Sequence, residues 1–568
     1  MFTEIERPLS KNQTVNQILK QIVLNGIQSA NFSDSLKSSS SFDVQIEKTK
    51  SQKNGDYATS ISLKLSKILN KNPMEIATSI SNAIETKGII KNIEVAKPGF
   101  INFFLSEKWL IGNIENILSE GSNYGNSNIG KNSKIQIEFV SVNPTGPIHI
   151  GHARGAILGS VLANILKTNG YDVFKEYYIN DAGNQIEKFY ESVYARYLQN
   201  KKIQASMPED GYQGEYIREI AKEISKSFNE KDIPSDKKNA KLFIGEAALN
   251  LMIENIKNDL ESLKVFYDNW FSEKSLLNDG IFSEALDFLN NKNLTKTKDG
   301  AKWFTSTKFG DTKDKVLIRS NGTPTYFGTD VAYHYSKLLK RNFDQIIDIW
   351  GADHQGHVPF MKSMMPALNV DQERLKILIY QLVTIKKGSA AIRLSKRKGE
   401  IVTLKDLIEE VGVDVCRYFF ISKSPESQME FDLDYAKNES KENPVYYIQY
   451  AHARICSILE VAKETKIQFN DCDLSLLSHE SEIDLINKMI LLPDLMQNIA
   501  SNLSPHHLPH YTLDLANSFH VFYQNCRVIS EDKNDFEISK SRLKLISATK
   551  IVLAKCLEIM GMDAPQAM

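Results

Sequence analysis

The chain has 568 residues, an apolar fraction of 42%, a charged fraction of 24% and a formal net charge of -1. That length exceeds one hydrophobic core and predicts three or four domains. The balanced charge excludes a uniformly basic nucleic-acid coat, so any RNA contact must be local. The five cysteines, Cys416, Cys456, Cys472, Cys526 and Cys556, contain no CxxC pair and an odd count. They read as buried or incidental thiols of a reducing compartment, against a disulfide framework or a cysteine zinc site. The opening MFTEIERPLSKNQ has no apolar core of signal-peptide length, and no run reaches the roughly eighteen apolar residues of a membrane span. A cytoplasmic protein without a membrane partner is expected.

Residues 1–120 mix helical periodicity (Val15, Ile18, Leu19, Ile22, Val23) with strand-like runs at 42–47 and 101–105, which predicts a small α+β domain. A Gly/Ser/Asn-rich connector at 120–128 closes it. The stretch 138–169 then organises the chain. Ile135, Ile137 and Phe139 alternate as in a strand, and the pattern breaks at Asn143-Pro144-Thr145-Gly146-Pro147. Ile157, Val161, Leu162, Ile165 and Leu166 resume at helical spacing. His149 and His152 fall where that helix begins, amid free backbone N–H groups and the positive end of the helix dipole, a setting suited to phosphate.

A second parallel strand is predicted at 173–179, ending in Asn180-Asp181-Ala182-Gly183-Asn184-Gln185. Two readings stand for that ending: an Asx-capped turn, or a ligand contact at the carboxyl end of a strand. From about 185 to 290 the pattern is amphipathic helix, read as an insertion between the halves of the sheet. The sheet is expected to return with Val316-Leu317-Ile318-Arg319. In the following segment Tyr326, Asp330 and Tyr333 are spaced i, i+4, i+7 and share one face if the helix starts early, as a ligand surface or as a packing seam.

The run 346–357 is an apolar strand delivering Gly351, Asp353, His354 and His357 to its carboxyl end, a pattern suited to a ribose diol. Its DHxxH is too short to specify zinc, and no metal ligated by the protein is expected. A final strand at 377–383 leads into the densest basic run, 386–399. From about Pro444 onward the chain reads as helix. There Tyr446, Tyr447, Tyr450, His452 and Arg454 interleave rings and cations, a pattern more common in cores than in RNA contacts.

His149-Ile150-Gly151-His152 resembles the HIGH signature of class I aminoacyl-tRNA synthetases, and VSVNPTGPIHIGHARGA resembles its form in the arginyl-tRNA synthetases. The same family is matched in order by 55–59 and 97–102 of the first domain, by Trp350-Gly351-Ala352-Asp353-His354, and by Arg393-Leu394-Ser395-Lys396-Arg397 against the KMSKS loop. It is matched again by NPVYYIQYAHARICSIL and the terminal GMDAPQAM. Arg393 and Arg397 stand where KMSKS has its first lysine and last serine, and Arg does not reproduce lysine's contact geometry.

The resemblance implies an α/β, Rossmann-type class I catalytic domain at 130–440 with a helical insertion near 185–290. It implies a tRNA-contacting α+β domain at 1–120 and an all-helical anticodon-binding domain at 441–568. It implies ATP-dependent activation of L-arginine and transfer to the terminal adenosine of tRNA(Arg). His149, His152, Lys396 and Arg393 would serve catalysis, and Gly151, Gly351, Asp353 and Ser395 would bind ATP. Glu138, Ser141, Asn143, Tyr326 and Asp330 would bind arginine, within a HIGH region of Asn143, Pro144, Thr145, Gly146, Pro147, Ile148, His149, Ile150, Gly151 and His152.

Mg²⁺ would arrive with ATP, no structural zinc is expected, and the state expected is a monomer. Such a guanidinium site demands carboxylates in planar geometry and rejects apolar amino acids without editing. No stretch resembling an editing domain is found. The alternatives are another class I synthetase, a non-catalytic RNA-binding relative, and a nucleotidyltransferase sharing only the HIGH-type fold.

Overall fold

The computed structural model describes residues 13–30, 32, 43–49, 51–387, 390–392 and 403–568. At its centre five strands form one parallel sheet: β1 (Lys134–Phe139), β2 (Asp172–Ile179), β3 (Asn269–Ser272), β4 (Gln345–Gly351) and β5 (Leu375–Tyr380). Their spatial order is β3-β2-β1-β4-β5. The chain winds outward from β1 to one edge and then returns to the other side of β1. A crevice therefore opens at the carboxyl ends of β1 and β4, where α/β sheets of this order bind ligands.

Two features depart from the sequence reading. The strand β3 lies inside the range assigned to helical insertion, whose long helices are Asn184–Asn200, Glu215–Ser227 and Lys237–Ser262. The segment Lys315–Ile318 does not rejoin the parallel sheet. It pairs antiparallel with Ala301–Phe304, which pairs with Thr295–Lys298 in a separate three-stranded sheet. Both are four-residue strands whose partners are fixed by non-local packing, so local periodicity carries no record of the pairing.

The helix α1 (Ile150–Thr168) follows β1 and is enclosed on nearly all sides, by sheet on one face and C-terminal helices on the other. Its approach to β1 is set by Gly159, where a Cβ would lie 2.2 Å from the Phe139 ring. The N-terminal unit packs the helices Val15–Ser29, Ile61–Leu69 and Pro73–Ala83 with a four-stranded antiparallel sheet. The C-terminal part contains the helices Pro444–Glu464, Glu480–Met489, Leu492–Asn502, His507–Asn525 and Phe536–Met560. Among the described residues no helix is long and apolar enough to cross a membrane.

The Gly159 contact makes a direct prediction. Gly159→Ala should lower stability by roughly 1–3 kcal/mol through overpacking against Phe139, read as a lower urea midpoint. An unchanged midpoint would show that α1 can move off the sheet at no cost.

Candidate active site

Strand alternation divides β1 into two faces. Ile135, Ile137 and Phe139 are fully buried on one, while Gln136 and Glu138 occupy the other. In register, Glu138 lies opposite Asp348 of β4 on one side and Glu176 of β2 on the other. Three buried acids thus stand in a row across the three central strands. Like charges directly opposite destabilise a sheet, and buried charges require partners.

The partners come from the helix that crosses this face, α2 (Tyr326–Tyr335), and its continuation, the π-turn Ser336–Lys340. Arg341 grips Glu176 with both terminal nitrogens, at 2.9 and 2.6 Å. Glu176 also accepts from Gln136, Asn269 and the Tyr333 hydroxyl. Burial alone would raise its pKa, but Arg341 and these donors hold it below the usual carboxylate value. Lys337 donates to Glu138 Oε2 at 2.6 Å and to Asp348 Oδ1 at 3.0 Å. His334 Nε2 lies 2.9 Å from the other Asp348 oxygen. Glu176 and Asp348 are saturated and structural.

Other carboxylates are not. Thr325 caps α2 by accepting from the Gly328 amide, which starts the helix early enough to put Tyr326 and Asp330 on one face. Withdrawal from water pushes the Asp330 carboxyl up to about 8, the charges of Glu138, Glu273 and Asp348 add to the shift, and Lys337 opposes it. Glu273, the first residue after β3, is buried and raised to about 7, chiefly by that burial. Among the described residues its Oε2 has no hydrogen-bond partner, an expensive state for a native side chain.

Burial, and then the charges of Glu273, Asp330 and Glu138, push the pKa of the Tyr178 hydroxyl well up. Tyr326 stands 55% exposed at the rim. Tyr333 is buried and tied to Glu176, so it belongs to the packing seam. The result is a carboxylate-rich cluster edged by tyrosines, with Lys337 buried among the described residues beneath it.

The turn after β1 leads from this pocket to α1. Val140 and Ser141 both adopt positive φ, 71° and 41°, a rare state for a β-branched residue. The turn is held by the Tyr177 hydroxyl, which donates to the Val142 carbonyl at 3.0 Å and accepts from its amide at 3.2 Å. The Tyr178 amide donates to Ser141 Oγ at 3.1 Å. Asn143 is fixed by Gln185 and Asn180, at 2.5 and 2.7 Å, so the 180–185 segment meets this loop directly. The run Pro144, Thr145, Gly146 and Pro147 lies under the insertion, whose Tyr216 hydroxyl donates to the Thr145 carbonyl at 2.9 Å. Ile148 and Ile150 are fully buried anchors.

His149 caps α1, its Nδ1 accepting from the Gly151 amide at 3.1 Å, and its ring stacks on His152 at 3.5 Å. A Cβ on Gly151 would press against the His149 ring at 3.0 Å, so the small residue permits this cap. Both histidines therefore meet the positive end of α1. Arg154, one turn on, is buried and donates to the carbonyls of Gln381, Ser424 and Ser427, fixing α1 against the chain beyond β5.

Across the crevice β4 ends at Gly351, and Asp353 projects from the following turn, largely exposed and 3.5 Å from His354. Arg393, Ser395 and Lys396 lie outside the described residues. Their segment departs from the strand Ala390–Ile392 and re-enters at Thr403, which bridges to His149, while the Leu404 amide donates to the Ile148 carbonyl at 3.0 Å. The re-entry point of the second signature thus adjoins the first.

Sequence reasoning missed Glu273, Tyr178, Lys337 and Arg154. Glu273 had an available signal, since it follows Trp270-Phe271 at a strand's carboxyl end, but the strand itself was read as helix.

Far from this crevice, the C-terminal helices form a cleft of about 320 Å³ lined by Tyr450, Arg454, Tyr523 and Met568, among others. The Arg454 guanidinium sits 4.6 Å from both the Tyr450 and the Tyr523 ring centres, and Tyr446 stacks parallel to Tyr450 at 6.1 Å.

Comparisons with known proteins cover the whole arrangement. Residues 113–430 match the model of the catalytic domain of class I tRNA synthetases (R), more than half of the chain. Residues 12–105 match the arginyl tRNA synthetase N terminal domain, and 448–568 the DALR anticodon binding domain. The chain is 50% identical to an arginine–tRNA ligase of Dehalococcoides mccartyi over 93% of this chain and 94% of that one. It is 45% identical to that of Caldanaerobacter subterraneus over 98% and 99%. The Thermus thermophilus arginyl-tRNA synthetase structure superposes with a TM-score of 0.75 at 20% identity, covering 98% of this chain and all of that one, a likeness of fold. From N-terminal domain through crevice to terminal helices, the chain belongs to the arginyl-tRNA synthetases and is an arginine–tRNA ligase.

Proposed function

We propose that the guanidinium of L-arginine binds between Asp330, Glu273 and the free oxygen side of Glu138, against Tyr326 and Tyr178. Class I membership implies ATP, tRNA and arginine as substrates. The observation that carries the pocket assignment is its charge imbalance: three neighbouring carboxylates, one oxygen of Glu273 unpartnered, and one cation already shared with Asp348. A planar cation with five donors resolves that imbalance. Ser141 and Asn143, on the strained turn between pocket and α1, are assigned to the α-amino end, leaving the arginine carboxylate directed toward the helix start.

That carboxylate attacks the α-phosphate of ATP and pyrophosphate departs. The step needs positioning and positive potential but no covalent protein nucleophile. His149, His152 and the amino end of α1 supply positive potential, and Arg393, Ser395 and Lys396 of the second signature are assigned to the same phosphates. Gly351 and Asp353 take the nucleoside, the exposed Asp353 carboxylate suiting the ribose diol. Mg²⁺ enters with the ATP phosphates and no protein zinc is involved. The 2′-hydroxyl of the terminal adenosine of tRNA(Arg) then attacks the activated carbonyl. The Tyr450, Arg454 and Tyr523 cleft suits a base stacked on rings with a cation beside its phosphate. The enzyme works as a monomer in the cytoplasm.

Three measurements test this reading. Asp330→Asn should raise the arginine KM at least ~30-fold, following the roughly 2–5 kcal/mol lost when a buried charge pair is truncated, and leave the ATP KM nearly unchanged. Equal effects on both would reject the pocket. In the empty pocket Asp330 and Glu273 carry protons up to about pH 8 and 7, and a bound guanidinium requires both ionised. Arginine affinity should therefore climb as pH rises from 6 to 8, by about tenfold per unit for each proton displaced, and level off above. Calorimetry in two buffers should register proton release on binding, and its absence would remove both acids from the site.

Lys396→Ala should slow adenylate formation on the order of 10²–10³-fold with tRNA affinity retained, whereas Arg454→Ala should raise the tRNA KM roughly five- to hundredfold with tRNA-independent steps unaffected. Exchange of those two phenotypes would overturn the assignment of the domains.

A further inference from the structure

Lys337 is fully buried and so cannot touch a substrate, yet every proton of its ammonium is committed next to the arginine pocket. One goes to Glu138 Oε2 at 2.6 Å, one to Asp348 Oδ1 at 3.0 Å, and the third faces the Tyr333 ring, whose centre is 4.1 Å away. Asp348 continues the chain of contacts through its other oxygen to His334 Nε2, and His334 Nδ1 lies 2.9 Å from the backbone carbonyl of Asp330. Glu138 on β1 is thereby tied through Lys337, Asp348 and His334 to the backbone of α2 at Asp330. Lys337 itself sits in the π-turn that continues α2, a widened turn of the kind that recurs at functional sites.

We propose that Lys337 is a positioning residue for arginine recognition: by holding Oε2 of Glu138 it favours the ionised form of that carboxylate against burial and its acidic neighbours, and turns the remaining oxygen to the guanidinium. The inference rests on the pocket reading above. The physical requirement is simple. Three carboxylates gathered away from water hold protons among themselves unless a fixed cation compensates one of them. A cation that compensated all of them would leave nothing for arginine to bind. Lys337 divides its single charge between Glu138 and Asp348, which offsets one of the two carboxylates and leaves the mouth of the pocket acidic. The charged and titratable groups facing it are Glu138 on β1, Glu176 on β2, Asp348 on β4, and Asp330, Tyr333 and His334 on α2.

The test uses the full-length enzyme with its tRNA. Lys337→Met alone leaves two acids uncompensated and is a folding risk, so the decisive variant is Lys337→Met with Asp348→Asn, which removes one charge of each sign. The expected result is a melting temperature within a few degrees of the parent, an arginine KM raised at least tenfold at pH 7, an unchanged ATP KM, and a deficit that narrows toward pH 9 as Glu138 loses its proton. A folded double variant with the parent's arginine KM at pH 7 would make Lys337 a structural charge only and overturn the proposal. Glu138→Gln measured in parallel separates the two levels. If it too leaves the arginine KM unchanged, the pocket reading has failed; if it raises the KM while the double variant does not, only the role of Lys337 has.

Discussion

The acid row across β4, β1 and β2 is the constraint around which the catalytic domain is built. Asp348, Glu138 and Glu176 are register neighbours on one face of a parallel sheet, an arrangement that no sheet tolerates without cations above it. That requirement explains α2 and its extension. Lys337 and Arg341, four residues apart, deliver one charge to each side of β1, and the widened turn at Ser336–Lys340 accompanies that placement. Glu176 receives more donors than it needs and is inert. Glu138 receives one, from a lysine it shares with Asp348, so compensation is thinnest at the centre of the row.

The other face of β1 has the opposite constraint. Phe139 presses against a helix with no side chain at the point of contact, and Arg154 fastens the same helix to the chain beyond β5. Close packing fixes α1 in position, so the histidine pair at its first turn is held against the β1 turn without needing a stiff loop. The strain at Val140 and Ser141 is the local consequence of bringing a polar strand face and a helix start within one short turn.

Much of this was legible in the sequence because it is local. The strand–loop–helix around His149 and His152 is written in contiguous periodicity, whereas the early start of α2 is only a condition there, met by the Thr325 cap. What was not legible is pairing. Glu273 was hidden because β3 is four residues long at a sheet edge, where four residues of apolar and polar alternation are indistinguishable from a helix face. Lys337 was hidden because its partners are 199 and 11 residues away in the chain, and a lysine in Ser336-Lys337-Leu338-Leu339-Lys340 looks solvated until the acid row beneath it is known. Val316 to Ile318 do form a strand, but not of the central sheet, for the same reason: apolarity predicts a strand, while only register assigns it to a sheet.

A third buried cation ties the crevice to the rest of the molecule. Arg417 is fully buried and donates to Ser160 Oγ of α1, to the Leu263 carbonyl at the end of the insertion, and to the Met560 carbonyl at the end of the last helix. Asn164 of α1 also donates to the Ile559 carbonyl at 3.0 Å. A buried guanidinium left with an unmet donor costs several kcal/mol by the usual order of magnitude. The terminal helix therefore cannot tilt away from α1 without exposing that cost at Arg417. The helix whose first turn carries His149 and His152 is thus the same body against which the last helix of the DALR domain is seated.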